Sequence, residues 1–273
     1  DDLVSATVSA GADGRLTASE LQLVERPRGL LFGEVIQRRG QPHLRVDREV
    51  TNTDWPLGDD APKGGHALFR VTPAGLRLAR ALGADDDLSL WQIVARHGLG
   101  VDFPAAAEAE AAALAQRTHE LGHRRDLRAV PTITVDAAST RDIDDAISVL
   151  PPDPGGGLRV LVSIADVAAY VSAGGPLDQA ARERGTSVYL AGQVLPMLPE
   201  ALSTGALSLH PGVPRSALTA ELRLSPEGEV VAVDVYESLL CSRSRVTYDE
   251  LAAWLEEGAL SASLTTVADM LPL

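Results

Sequence analysis

Residues 132–150 read TITVDAASTRDIDDAISVL. At each end polar and apolar residues alternate, with β-branched types prominent among them, the pattern of half-buried strands, so 132–136 and 145–150 are predicted strands. Between them Asp136, Asp142, Asp144 and Asp145 fall within ten residues. A strand delivering Asp136, a tight loop and a second strand entering at Asp145 bring several carboxylates to one point. Carboxylates that close raise one another's pKa unless a cation neutralises them. An oxygen-only ligand set without His or Cys selects a hard divalent ion, Mg²⁺ or Mn²⁺. Such a centre polarises a phosphodiester and generates hydroxide near neutral pH, which implies in-line phosphodiester hydrolysis. An acidic surface turn is the competing reading of the spacing. The alternating ligands and final Glu of a calcium-binding EF-hand loop are absent.

Working outward, 158–165 (LRVLVSIA) is a further strand, 217–224 and 229–237 a strand pair around Pro226–Gly228, and 151–157 (PPDPGGG) a flexible hairpin connection. Residues 176–184 are helical, 186–190 extended, and 248–257 begin another helix. Upstream, 105–121 (AAAEAEAAALAQRTHEL) predicts a helix ended by Gly122. A basic patch of His123, Arg124, Arg125 and Arg128 then leads to Pro131, which places a boundary near residue 130. Nearer the start, 17–25 reads as a strand or short helix. Residues 30–37, 43–47 and 66–72 read as strands, with Arg38–Gln41 as a hairpin turn and a Gly/Pro/Asp-rich loop at 54–65. The spacing at 74–82 and 87–97 is helical, with Asp87 as N-cap. That pair is either a helix-turn-helix or an ordinary αα corner. The expected architecture is α+β: a small winged-helix-like or β-barrel module over 1–103, a helical linker over 104–130, and a second domain over 131–273.

The chain has 273 residues, with 38 acidic and 24 basic side chains and a net charge of −14. Apolar residues at 45% and charged residues at 23% are ordinary for a soluble globular protein. No apolar run is long enough for a membrane span, and the first residues lack the basic start and apolar core of a secretory signal. One cysteine, Cys241, excludes an internal disulfide framework and a cysteine-cluster zinc site; a reducing, cytoplasmic setting is expected. The acidic balance argues against coating nucleic acid through the overall field but leaves room for a local basic groove. All basic residues but Lys63 are Arg, which suits bidentate phosphate recognition and equally reflects a coding bias. Ten aromatic residues leave room for one or two base-stacking positions.

The run 124–149 (RRDLRAVPTITVDAASTRDIDDAISV) resembles the start of the catalytic domain of the ribonuclease II / ribonuclease R (RNB) family. Four blocks follow in matching order: 163–171 (SIADVAAYV), 182–190 (RERGTSVYL), 194–202 (VLPMLPEAL) and 206–212 (ALSLHPG). The resemblance covers about residues 104–257. It implies an RNB-type catalytic domain, a mixed or antiparallel sheet with helices. It also implies processive 3′→5′ hydrolysis of single-stranded RNA to nucleoside 5′-monophosphates, with Mg²⁺ or substituting Mn²⁺, by a monomer with no membrane partner. Asp136, Asp142, Asp144 and Asp145 match the family's active-site aspartates, Asp144 being the one essential for cleavage and dispensable for binding. Tyr189 matches the aromatic that stacks on the 3′-terminal base; a half-buried strand tyrosine is its structural alternative. Tyr248 matches a tyrosine near the ribose 2′-hydroxyls; packing at a helix cap is its alternative. Asp166 is expected to be structural. Arg141 either touches phosphate or pairs with a neighbouring Asp. Ser163 stands where many relatives have His.

Family members also carry two cold-shock domains with aromatic-rich motifs, which the first hundred residues do not show. Their catalytic domain continues past the point matching Leu273, supplying an arginine, a glutamate, a second stacking aromatic and then an S1 domain. The chain starts without Met and stops in DMLPL, so it is expected to be part of a longer polypeptide. Two other readings stand beside the nuclease: a catalytically silent RNA-binding protein that keeps the fold, and a DNA-binding regulator acting through residues 74–97.

Overall fold

Alternating residues near the start of the chain produce strands before any helix appears. The structure, a computed structural model, describes residues 3–11, 14–25, 29–47, 52–151, 157–259 and 261–265. Two units are distinguished: residues 1–102 with 189–195, and residues 103–188 with 196–273.

In the first unit, β1 (Leu3–Ala10) and β2 (Leu16–Glu25) form an antiparallel ribbon, so 17–25 is strand. An antiparallel sheet follows from β3 (Leu30–Arg38), β4 (Gln41–Val46), β5 (Trp55–Pro56), β6 (His66–Thr72) and β7 (Gly75–Ala81), in the order β5-β4-β3-β6-β7. Arg39 and Gly40 take φ of 51° and 80° in the two-residue turn between β3 and β4, matching the twist of the strands. Val35, Leu44, Val46, Leu57, Ala67 and Phe69 form the core of this unit. Helix α1 (Leu88–Arg96) starts where Asp87 accepts from the backbone N–H groups of Ser89 and Leu90, at 3.0 and 3.3 Å.

Residues 74–82 are not a helix. After Thr72, whose hydroxyl donates to the Gly75 carbonyl at 2.7 Å, the chain reverses and pairs with β6 from Thr72↔Gly75 to Ala67↔Ala81. Leu76 and Leu78 keep a period of two up to the bulge opposite Leu68 and Phe69, while Leu78 with Ala81 and Leu82 keeps a helical spacing. The unpaired edge of β6 decides in favour of the strand. Neither the helix-turn-helix nor the αα corner read over 74–97 is therefore present, and the basis for a DNA-binding regulator acting through those residues goes with them.

The second unit opens with α2 (Ala105–Leu114), seven residues shorter than the predicted 105–121. Beyond it His119 is drawn into polar contacts that a helix could not reach. Its Nδ1 accepts from the Ser216 backbone N–H at 2.9 Å, and Nε2 lies 3.1 Å from the Ala206 carbonyl and 2.7 Å from the Tyr170 hydroxyl. Burial, then the positive charge of Arg215, lowers its pKa.

A mixed seven-stranded sheet then follows. Its strands are β8 (Arg125–Leu127), β9 (Ile133–Asp136), β10 (Asp145–Leu150), β11 (Leu158–Ala165), and, after helix α3 (Pro176–Arg184) and the small hairpin of β12 (Val188–Leu190) and β13 (Gln193–Leu195), β14 (Arg215–Leu224), β15 (Val230–Leu240) and β16 (Ser244–Thr247). The order is β16-β9-β10-β11-β14-β15-β8, antiparallel within and parallel at both edges. Helices α4 (Tyr248–Glu257) and α5 (Ala262–Thr265) follow the sheet, and Leu264 packs with Ile133 and Val246. The tip of the connection predicted at 151–157 (152–156) lies outside the described residues.

One face of this sheet is packed: Leu127, Ile143, Ala146, Leu161, Leu209, Ala217 and Leu240 form its apolar cluster. On that face Ser163, Thr219 and Ser238 join β11, β14 and β15 through hydroxyl contacts of 2.8 and 2.7 Å, so buried polar groups are satisfied in place of apolar ones. The strands predicted at 132–136, 145–150, 158–165, 217–224 and 229–237 all exist, as does the helix at 176–184.

Candidate active site

Asp136 is the last residue of β9 and Asp145 the first of β10. The loop between them is fixed at its far end by Ile143, which is fully buried. The Ile143 N–H donates to Ser208 Oγ at 3.0 Å, and the Ile143 carbonyl accepts from the Leu209 N–H at 2.8 Å. The Ser208 hydroxyl in turn donates to the Arg141 carbonyl at 3.1 Å. Asp144 is held through its own carbonyl, which accepts from the Ala165 N–H at 2.8 Å. Core burial of one isoleucine thus sets the backbone on which Asp142 and Asp144 sit, while Asp144 and Asp145 themselves remain exposed.

The four carboxylates feel one another. Asp136 is buried, and its carboxyl is pushed up by burial and by the charge of Asp145, with Asp142 adding to this and Arg245 opposing it. Asp144 keeps a solvent-exposed surface, yet the protein atoms packed around its carboxyl strip part of its hydration; that desolvation raises it, as do Asp142, Asp145 and Asp136 in turn. Among the described residues, Asp136 Oδ2 is buried with no hydrogen-bond partner, a costly condition for a carboxylate oxygen. Among the described residues, no three His, Cys, Asp or Glu side chains are drawn together closely enough to hold a metal ion between them. An orphaned carboxylate oxygen beside mutually repelling carboxylates nevertheless fits a hard divalent cation. Mg²⁺ in particular is bound through one or two carboxylates, with water and phosphate completing its shell.

Tyr248 comes to the same end of the sheet. Its neighbour Thr247 lies opposite Asp136 in the parallel β9–β16 pair. Thr247 caps α4 in a reciprocal box with Glu250, and Tyr248, the first helical residue, is 61% exposed and so is not cap packing. Tyr189 is 64% exposed on β12, which argues against a half-buried strand residue. It belongs to the first unit and is not grouped with the aspartates. Arg141 pairs with Glu200 at 3.7 Å. Asp166 caps the turn Val167–Ala169 and pairs with Arg124 at 2.6 Å, a structural role. Ser163 belongs to the hydroxyl ladder.

Two residues around the loop escaped the sequence reading. Ser208 gave no signal beyond its place in the block 206–212. Arg245 gave one, as a charged residue in the strand just before Tyr248. Its Nη2 donates to the carbonyls of Ala137 and Ala138, at 2.7 and 3.1 Å.

Residues 124–272 match the model of the RNB domain. The chain belongs to the RNB domain family. Ribonuclease R of Escherichia coli (strain K12) is 41% identical to this RNB chain over 266 residues, which are 92% of the chain and 33% of that protein. The likeness thus runs well past residues 104–257 into the N-terminal unit. It also means that the chain spans about a third of the length of that curated relative. In fold, the chain resembles Mycoplasma genitalium RNase R in complex with double-stranded RNA, with a TM-score of 0.75 at 23% identity, covering 93% of this chain and 47% of that one. It also resembles yeast Ssd1, a pseudonuclease, with a TM-score of 0.61 at 16% identity, covering 97% and 36%. The mixed sheet with helices is the RNB fold.

Proposed function

We propose that the polypeptide carrying this chain is a Mg²⁺-dependent exoribonuclease that degrades single-stranded RNA from its 3′ end to nucleoside 5′-monophosphates. The observation that supports this best is the complete set of Asp136, Asp142, Asp144 and Asp145 on one loop of an RNB domain, with a buried oxygen of Asp136 left without a partner. These four residues would hold the metal. A divalent ion bound there would offset charge on the phosphate and make water a competent nucleophile near neutral pH. Asp144, held through its backbone and raised by its neighbours, orients the reacting groups. Tyr189 offers an exposed ring on which the terminal base stacks. Tyr248, exposed at the start of α4, would contact a ribose 2′-hydroxyl and so help to distinguish RNA from DNA. A monomer working in the cytoplasm is part of the same reading, supported by the single cysteine; among the described residues, no helix is long and apolar enough to cross a membrane.

A silent RNA-binding protein is the second reading, favoured by the fold likeness to a pseudonuclease. Labelled RNA separates the two. With 5′-labelled single-stranded RNA and Mg²⁺, the full-length polypeptide is expected to give a ladder shortening from the 3′ end. EDTA stops it, and Asp144→Asn abolishes turnover while RNA affinity stays within about twofold of wild type, as for a group acting only in the transition state. A stable gel shift without shortening supports the silent binder, and cleavage that survives EDTA removes the metal from the reading.

A further inference from the structure

We infer that Arg245 is a positioning residue of the aspartate loop, clamping its first turn so that Asp136 faces the other three carboxylates. This rests on the function proposed above. Arg245 lies on β16 opposite Thr134, one register step before Val246↔Val135 and two before Thr247↔Asp136. From there its guanidinium reaches forward past the end of β9 and donates from Nη2 to two successive carbonyls, Ala137 and Ala138. The loop has no apolar anchor of its own at this end. Residues 137–140 are Ala, Ala, Ser and Thr, closed by one backbone bond from Thr140 N–H to the Ala137 carbonyl at 3.0 Å. Ile143 and Ser208 fix the far end; Arg245 fixes the near one.

The choice of acceptors matters. An arginine beside a carboxylate ordinarily pairs with it in a bidentate fork and occupies the oxygens a cation would need. Among the described residues Arg245 makes no such ion pair, and its buried Nε has no acceptor, as Asp136 Oδ2 has no donor. Its positive charge still acts on Asp136. Arg245 therefore lends charge to the site and holds the backbone while leaving the carboxylate open. Groups that orient metal ligands from behind typically change metal affinity or activity 10- to 100-fold when removed.

The test uses Arg245→Met, which keeps the length and loses charge and donors, and Arg245→Lys, which keeps the charge and one donor head. Amide hydrogen exchange of the Thr140 N–H should quicken at least about tenfold in Arg245→Met, while sheet amides such as that of Val162 keep their protection. Arg245→Lys should recover part of the loss. Mn²⁺ titration followed by electron paramagnetic resonance should show affinity about tenfold weaker in Arg245→Met than in wild type, again partly restored by Lys. A purely electrostatic neighbour gives the opposite sign, since removing a positive charge strengthens cation binding. Unchanged Thr140 exchange, or equal or tighter Mn²⁺ binding by Arg245→Met, overturns the inference. Wild type that binds no Mn²⁺ while Thr140 exchange still responds to Arg245→Met discredits the metal reading and leaves the clamp standing. Should Arg245→Met fail to fold, exchange in Arg245→Lys decides alone: protection at Thr140 indistinguishable from wild type rejects the clamp.

Discussion

Asp144 shows what one residue costs the fold that carries it. Its carboxyl is raised by partial loss of hydration and by three neighbouring negative charges. A raised native pKa means that the folded chain holds the proton more tightly than the unfolded chain does. The associated stability is fully present below the unfolded value near 3.8 and is lost as pH rises through the native value. At neutral pH an ionised Asp144 is therefore a strain on the apo protein, of the kind active sites carry. Asparagine has the same shape without the charge. Asp144→Asn in EDTA is expected to melt above wild type at pH 7, with the difference shrinking as the pH is taken down toward 3.8. Melting curves by circular dichroism across that range check it, and a variant that melts below wild type at pH 7 would show that the aspartates do not repel.

At the scale of elements, one carboxylate ties four strands. Glu221 on β14 is 6% exposed and is bonded by Arg159 of β11 at 2.7 Å and by the Tyr236 hydroxyl of β15 at 2.9 Å. Arg125 of β8 stands 3.7 Å from it and stacks 3.5 Å over the Tyr236 ring. Burial pushes Glu221 up, but the bonds from Arg159 and Tyr236 outweigh it, and the net pKa is lowered. That stability is present above the unfolded value of 4.5 and is lost as pH falls through the lower native one. Glu221→Gln should cost on the order of 1–3 kcal/mol at pH 7. The gap to wild type should close below pH 4.5, measurable by urea melts at several pH values. Nothing in the sequence announced this tie, because Arg159, Glu221 and Tyr236 meet only once β11, β14 and β15 are in register. The strands themselves were legible, since a half-buried sheet writes its period of two into the chain. Residues 74–82 were not, because a short apolar run fits both periods until a partner edge chooses. Helix 105–121 was read too long for a related reason: helical propensity continues past Leu114, whereas the polar contacts of His119 are tertiary. The acidic site was visible because its residues are local, and Arg245 was overlooked because it arrives from 108 residues beyond the Ala137 it bonds.

For the whole molecule, the net charge of −14 and the aspartate cluster make different claims about cations. A diffuse negative field concentrates any cation and fades as added salt screens it. A ligand set binds one ion in the native state and none in the unfolded chain, and so stabilises by mass action. If the four carboxylates hold Mg²⁺, a concentration a hundredfold above the dissociation constant adds ~2.7 kcal/mol. In a domain of this size that is roughly 5–10 °C in Tm, at about 2–4 °C per kcal/mol. The response should persist in 0.5 M KCl, where the general field is screened. In the double variant Asp136→Asn, Asp144→Asn the Tm should no longer depend on Mg²⁺, even though that variant starts from a higher Tm in EDTA because the repulsion is gone. Differential scanning calorimetry with and without Mg²⁺ at both salt concentrations separates the cases. A shift that disappears in KCl, or that the double variant retains in full, would assign the cation effect to the surface at large and not to the loop between β9 and β10.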